Sequence, residues 1–156
     1  MVVVLSEANT KAKDIWVAVV KVITDAMLPG GALADVKAFV EYRRMRASQL
    51  PPFYLTVLDR RTEITEWGAN RGIADLRVLF GLTGTSFKPD EVGGQLDSNA
   101  WALADLFQAD VTLDGLVHDT RFESVSPDTT PPGEELTTEP WATVELVWNF
   151  AFLIGA

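Results

Sequence analysis

Cysteine is absent and histidine occurs once. Without Cys there can be no disulfide, no thiolate metal site and no thiol nucleophile. The solitary His118 excludes multi-His zinc sites and weakens any Ser-His or His-carboxylate catalytic pair. Basic side chains are also scarce: 13 Lys and Arg against 22 Asp and Glu leave a formal net charge of -9. Tight binding to phosphate backbones draws on Lys and Arg that displace counterions, so this balance disfavours a nucleic-acid binder. Long hydrophobic runs are missing as well. The start, Met1-Val2-Val3-Val4-Leu5, has no basic flank and is too short for a signal peptide. The most apolar stretch, Ala142 to Ile154, is broken by Glu145 and Asn149 and falls short of the roughly 20 residues needed to span a bilayer. A soluble protein with no membrane partner is expected, and a Cys-free chain tolerates either redox compartment.

What is present suits one packed core. A chain of 156 residues with 47% hydrophobic side chains is expected to form a single domain over 1–156. Ile15, Trp16, Val19, Val20, Val22, Ile23, Ala26 and Met27 recur at helical spacing. They predict a helix from about Asn9 to Leu28, capped by Asn9 or Thr10 and stopped by Pro29-Gly30-Gly31. The 33–50 segment has helical propensity, but alternation through Val36, Ala38, Val40 and Tyr42 favours a strand over Val36–Met45. Phe53–Leu58 reads as a strand, Asp59-Arg60-Arg61 as a turn and Thr62–Trp67 as its hairpin partner. Ile73–Leu82 alternates cleanly, with Ala74, Leu76, Val78, Phe80 and Leu82 on one face. Gly, Ser, Pro and Asp over 83–94 predict an exposed loop. A second helix is expected over Ser98–Gln108, with Trp101, Leu103, Ala104, Leu106 and Phe107 as its apolar face. A short strand over His118–Val125 follows. Pro127, Pro131 and Pro132 among acidic residues mark 127–139 as a mobile loop or arm. Strict alternation from Ala142 to Ile154 predicts a long half-buried strand. The order of elements implies an α+β fold: a mixed or antiparallel sheet of about four to six strands packed against two helices.

Few residues support chemistry. Thr83-Gly84-Thr85-Ser86 with Gly93-Gly94 lacks the Lys that must follow the second Gly of a phosphate loop, since Lys88 comes before the Gly pair. Asp110, Asp114 and Asp119 do not have EF-hand spacing. His118-Asp119 resembles a base with its orienting acid, but no Ser sits in an elbow motif to be activated. No catalytic residue, cofactor or metal is expected. Arg43, Arg44 and Arg46, with Arg60 and Arg61, are the basic clusters of an acidic chain. They read as a solvated strand face and turn, or as contacts with an acidic surface such as the 128–139 segment of a second copy. Five Trp is a high share. Trp16 and Trp148 fit the core, whereas Trp67 and Trp141 fall off the apolar faces and are interface candidates.

The stretch LADLFQADVTLDGLVHDTRFESVSP, from Leu103 to Pro127, carries the most specific pattern. It resembles the second half of phage tail terminator (tail completion) proteins, in which a helix ends in a D-x-T-L-G-G-x-V turn. Asp110, Thr112, Leu113, Gly115, Leu116 and Val117 match, and Asp114 replaces the commoner Gly. The order of an amphipathic helix, a Pro-led strand over 50–58 and a long late strand agrees with that family. The resemblance implies a homo-oligomeric, hexameric ring in the tail-neck region of a virion, assembled in the host cytoplasm. Such a ring caps the tail tube, ends tube polymerisation and presents the head-tail joining surface. Its partners would be the tail tube protein and a head-tail connector protein. DNA would pass through without specific binding, which acidic walls favour by repulsion. The alternatives are another neck or head-closure component, a chaperone-like adaptor, and a small acidic ligand-binding or enzymatic domain using the 83–95 loop and His118.

Overall fold

The computed structural model describes residues 5–41, 53–85, 89–110, 112–113, 115–128 and 141–155. In chain order they form α1 (Ser6–Ala26), β1 (Ala38–Glu41), β2 (Phe53–Trp67), β3 (Arg71–Thr85), α2 (Pro89–Ala109), β4 (Asp119–Asp128) and β5 (Trp141–Gly155). The strands make one sheet in the order β1-β2-β3-β5-β4. β1 runs parallel to β2 and every other pairing is antiparallel. Both helices pack on one face of this mixed sheet, giving the expected two-layer α+β architecture. Among the described residues no helix is long and apolar enough to cross a membrane.

The stripe predicted for α1 is buried: Ile15, Trp16, Val19 and Ile23 all face the sheet. The helix starts earlier than its polar residues suggested. Leu5 occupies the N-cap without a side-chain cap, and Asn9 and Thr10 lie inside the helix. Its first turn is anchored by tertiary contacts instead. Glu7 accepts the Gly155 N–H at 3.1 Å and pairs with Lys11 at 2.9 Å, which ties α1 to the end of β5. After Met27 the chain turns back so tightly that the Leu33 N–H donates to the Ala26 carbonyl at 2.9 Å. A Cβ on Gly31 would sit 2.2 Å from that same carbonyl oxygen, so only Gly fits there.

The strand expected over Val36–Met45 is present at Ala38–Glu41 and begins two residues later than expected, while 42–50 lie outside the described residues. The hairpin predicted around Asp59-Arg60-Arg61 is corrected. β2 continues unbroken to Trp67, and pairing with β3 extends from Phe53 opposite Gly84 to Trp67 opposite Gly72. Asp-Arg-Arg lacks the Gly or Asn that a tight turn uses for positive φ. The chain absorbs the pattern break as a register shift between Val57 and Asp59 instead. The turn comes only at 68–70.

The loop predicted over 83–94 is corrected too. β3 extends through Thr85, and α2 begins at Pro89, nine residues before the expected start at Ser98. Pro is tolerated as the first helical residue because its missing N–H would be unsatisfied anyway. Gly93 and Gly94 cost about 1 kcal/mol each relative to Ala. Packing outweighs that cost: Leu96 and Ala100 are buried, and the Asn99 amide donates to Asp35 at 3.0 Å. β4 runs to Asp128, so Pro127 and Asp128 belong to a strand rather than to the predicted arm. Residues 129–140 lie outside the described residues.

Alternation along β3 and β5 puts Leu76, Val78, Phe80 and Leu82 beside Leu146, Trp148, Phe150 and Phe152 under the helices. Each fully buried side chain of this size contributes about 1.5–3 kcal/mol by area. At the centre, Phe107 of α2 lies 5.6 Å from Phe80, 5.5 Å from Trp148 and 5.2 Å from Phe150, measured between ring centroids.

Candidate functional site

Three of the predicted interface residues lie along β2. Arg60 pairs across the sheet with buried Val78 and so projects to the helix side, where its guanidinium lies 4.6 Å from the Trp16 ring centroid. Arg61 points to the opposite face and pairs with Glu63 at 3.1 Å and Asp59 at 3.8 Å. Trp67 ends the strand and is 72% exposed. Trp141 opens β5 with its backbone paired to Thr85. Arg43, Arg44 and Arg46 lie outside the described residues. The structure therefore joins Arg60, Arg61 and Trp67 on one strand but sends the two arginines to opposite sides.

The motif between α2 and β4 is a compact turn. Thr112 O accepts from Gly115 N at 3.0 Å and from Val117 N at 2.9 Å, and His118 N donates to Ala151 O at 2.7 Å. Leu113 and Gly115 have positive φ, at 46° and 88°. Leu113 and Val117 are buried and pin the turn to the core. The spacing of Leu113, Gly115 and Val117 thus has a physical basis: an anchor, a left-handed glycine and a second anchor, closed by the main-chain carbonyl of residue 112. The turn and α1 enclose an open cleft of about 530 Å³ lined by Lys11, Asp14, Thr112, Leu116, His118 and Leu153, among others. No hydrogen bond joins His118 to Asp119 among the described residues, nor does any group of three His, Asp or Glu there gather at metal-binding distance.

The sheet face away from the helices carries an ionic network. Arg77 donates two hydrogen bonds to Glu123, from Nε at 3.1 Å and from Nη2 at 3.0 Å, and Asn149 adds a third at 2.9 Å. The Arg77 hydrogen bond, helped by that of Asn149, pulls the Glu123 carboxyl down from 4.5 to about 2. Beside it, Arg121 covers buried Asp75. Asp75 and Arg77 alternate with the buried residues of β3 and so share this face, but their partners depend on the β3-β5-β4 register.

One surface was missed. Trp101, expected in the apolar face of α2, is 48% exposed and stacks on Phe122 of β4, itself 43% exposed, with ring centroids 5.5 Å apart. Phe122 in turn meets core Trp148 at 6.0 Å, so the pair is the outer end of an aromatic run. The available signal was local: Asp97 and Asp105 flank Trp101 four residues away on either side, which places Trp101 on a solvated stripe.

No family model matches the chain. No curated protein matches it either. Among solved structures, the chain is similar in fold to one from a particle described as "Virion of native gene transfer agent (GTA) particle". The TM-score is 0.53 at 9% sequence identity, over 86% of this chain and 92% of that chain.

Proposed function

We propose that this protein is a structural subunit of a phage-like virion, acting as a tail terminator. In this reading copies form a hexameric ring on the end of the tail tube, block further addition of tube subunits and present the surface that joins the head. The work is done by binding, without bond chemistry. Fold likeness to the gene transfer agent virion chain, over nearly the whole of both chains, carries the proposal. The tail-terminator pattern supports it independently, since its matching residues build one defined turn beside α1.

The physical properties agree with that role. Exposed aromatic surface at Trp67, Trp101 and Phe122 suits burial between subunits. The charge of -9 suits a channel wall along which DNA slides, because like charges repel and keep the polymer from sticking. The partners are other copies of this chain, the tail tube protein and a head-tail connector protein.

Sedimentation and negative-stain imaging of the purified protein with isolated tail tubes test the reading. Rings seated on tube ends are the expected result. A chain that stays monomeric and leaves tube ends uncapped would overturn it. Rings that bind only the connector would point instead to another neck or head-closure component.

A further inference from the structure

The Trp101–Phe122 stack offers chemistry that the fold itself leaves unused. Phe122 belongs to β4, the last strand of the sheet, so the stack stands at an edge that a partner can approach. The two rings lie 29° from parallel with centroids 5.5 Å apart: Phe122 covers one face of the indole, which stays half-exposed. Behind them Phe122 meets buried Trp148. The shelf is therefore held in place by the core before anything binds, which lowers the ordering entropy that binding must overcome.

Charge around the shelf has one sign. Between Pro89 and Ala109, α2 holds four carboxylates and no Lys or Arg. Two of them, Asp97 and Asp105, stand four residues either side of Trp101 on the same stripe. Each is about 6 Å from Trp101 along the helix axis. Both are exposed, and neither makes an ion pair among the described residues.

An aromatic face bracketed by two uncompensated carboxylates selects a cation and repels phosphate. Guanidinium fits best. It is planar and weakly hydrated, so it can stack on the indole while its N–H groups reach a carboxylate. The ammonium of Lys is a compact, strongly hydrated charge that gains less from the ring. An exposed ring holds a free small cation only weakly, and small-ligand sites are concave. The guanidinium therefore arrives on a protein. This chain's own described arginines are mostly engaged: Arg60 over Trp16, Arg61 with Glu63, Arg77 with Glu123 and Arg121 with Asp75.

We propose that the Trp101–Phe122 shelf is an arginine-accepting docking site for a basic partner protein. An Arg of that partner lies flat on the Trp101 ring and directs its N–H groups at Asp97 or Asp105. Charge complementarity names the occupant, and the site is the same on a single copy as on a ring.

Capped hexapeptides of six Arg and of six Lys are the probes. Each is titrated into the full chain while the Trp101 indole N–H resonance, assigned through Trp101→Leu, is followed. The arginine peptide is expected to shift that resonance and to bind at least ten-fold tighter than the lysine peptide. Trp101→Leu should erase the preference for Arg. Asp97→Asn combined with Asp105→Asn should weaken the arginine peptide at least ten-fold. Glu66→Gln combined with Asp119→Asn removes the same charge from the opposite sheet face and should change binding less than two-fold. Circular dichroism checks that every variant is folded. Equal affinity for the two peptides, an unmoved Trp101 resonance, or equal losses in the two charge-removal variants would overturn the assignment. Wild-type self-association that is lost on Asp97→Asn with Asp105→Asn would overturn it too, because the shelf would then hold a second copy.

Discussion

Arg60 on β2 holds its guanidinium 4.6 Å from the ring centroid of Trp16 on α1. The contact exists because β2 does not turn at Asp59. Continued alternation sends Arg60 under the helix and Arg61 to the other face, between Asp59 and Glu63. The same Trp16 donates its indole N–H to Glu41 of β1. One α1 side chain thus clamps both β1 and β2, the two strands at that edge of the sheet.

Arg60→Ala is expected to destabilise the fold by about 1 kcal/mol, the range for a partly desolvated cation–π pair. Arg60→Lys should recover part of that loss. Urea unfolding of the three proteins is the measurement, and an unchanged midpoint for the alanine variant would remove the contact from the account.

Phe107→Ala should cost about 3–5 kcal/mol, because its fully buried ring touches Phe80, Trp148 and Phe150 and leaves a cavity that they cannot fill. Phe107→Leu should cost much less. Thermal and denaturant unfolding would distinguish the pair.

Gly115→Ala probes backbone strain without steric conflict. Its φ is 88° and nothing lies within 4 Å of an added Cβ, so the expected cost is about 1 kcal/mol. Gly31→Ala meets the Ala26 carbonyl oxygen at 2.2 Å and should cost more, since the backbone itself must move. Equal losses at the two sites would contradict this distinction.

The Glu123 network gives an acid limb to stability. Its folded-state value of about 2 lies below the 4.5 of an unperturbed Glu. The folded state therefore favours the ionised form, and the contribution is fully present above the unfolded value. It is lost as pH falls through roughly 4.5 toward 2. Glu123→Gln should flatten the unfolding profile in that window and change little near neutrality beyond a uniform offset. Added salt should weaken the effect in the native protein, because the pair is solvent-screened. An identical acid limb in the variant would assign the pH dependence to other carboxylates.

Legibility followed the range of the physics. The apolar stripe of α1, the buried face of β3 and the alternation of β5 are properties of neighbouring residues, and each was readable because periodicity reports which face is covered. The Thr112–Val117 turn was also readable, since Gly115 at positive φ is a local requirement. Of the candidate interface residues, Trp67 was legible as an aromatic off the apolar pattern, and it is exposed. Trp101 carried a local signal too, in Asp97 and Asp105 four residues away on either side, but the ring it meets, Phe122 of β4, is set by how α2 packs on the sheet.

The sequence by itself determined the class: two amphipathic helices, several alternating strands, no thiol chemistry and an acidic surface. Tertiary structure alone decided where elements begin and end and which side chains meet. Pairing with β3 carried β2 past Asp59 to Trp67. Burial of Leu96 and Ala100 accompanies a helix that runs through Gly93-Gly94. Sheet register brought Arg77 to Glu123, 46 positions away in sequence. Local propensities differ by about 1 kcal/mol or less per residue. Long-range pairing and burial exceed that when summed, so the whole sheet, and no single segment, sets the boundaries.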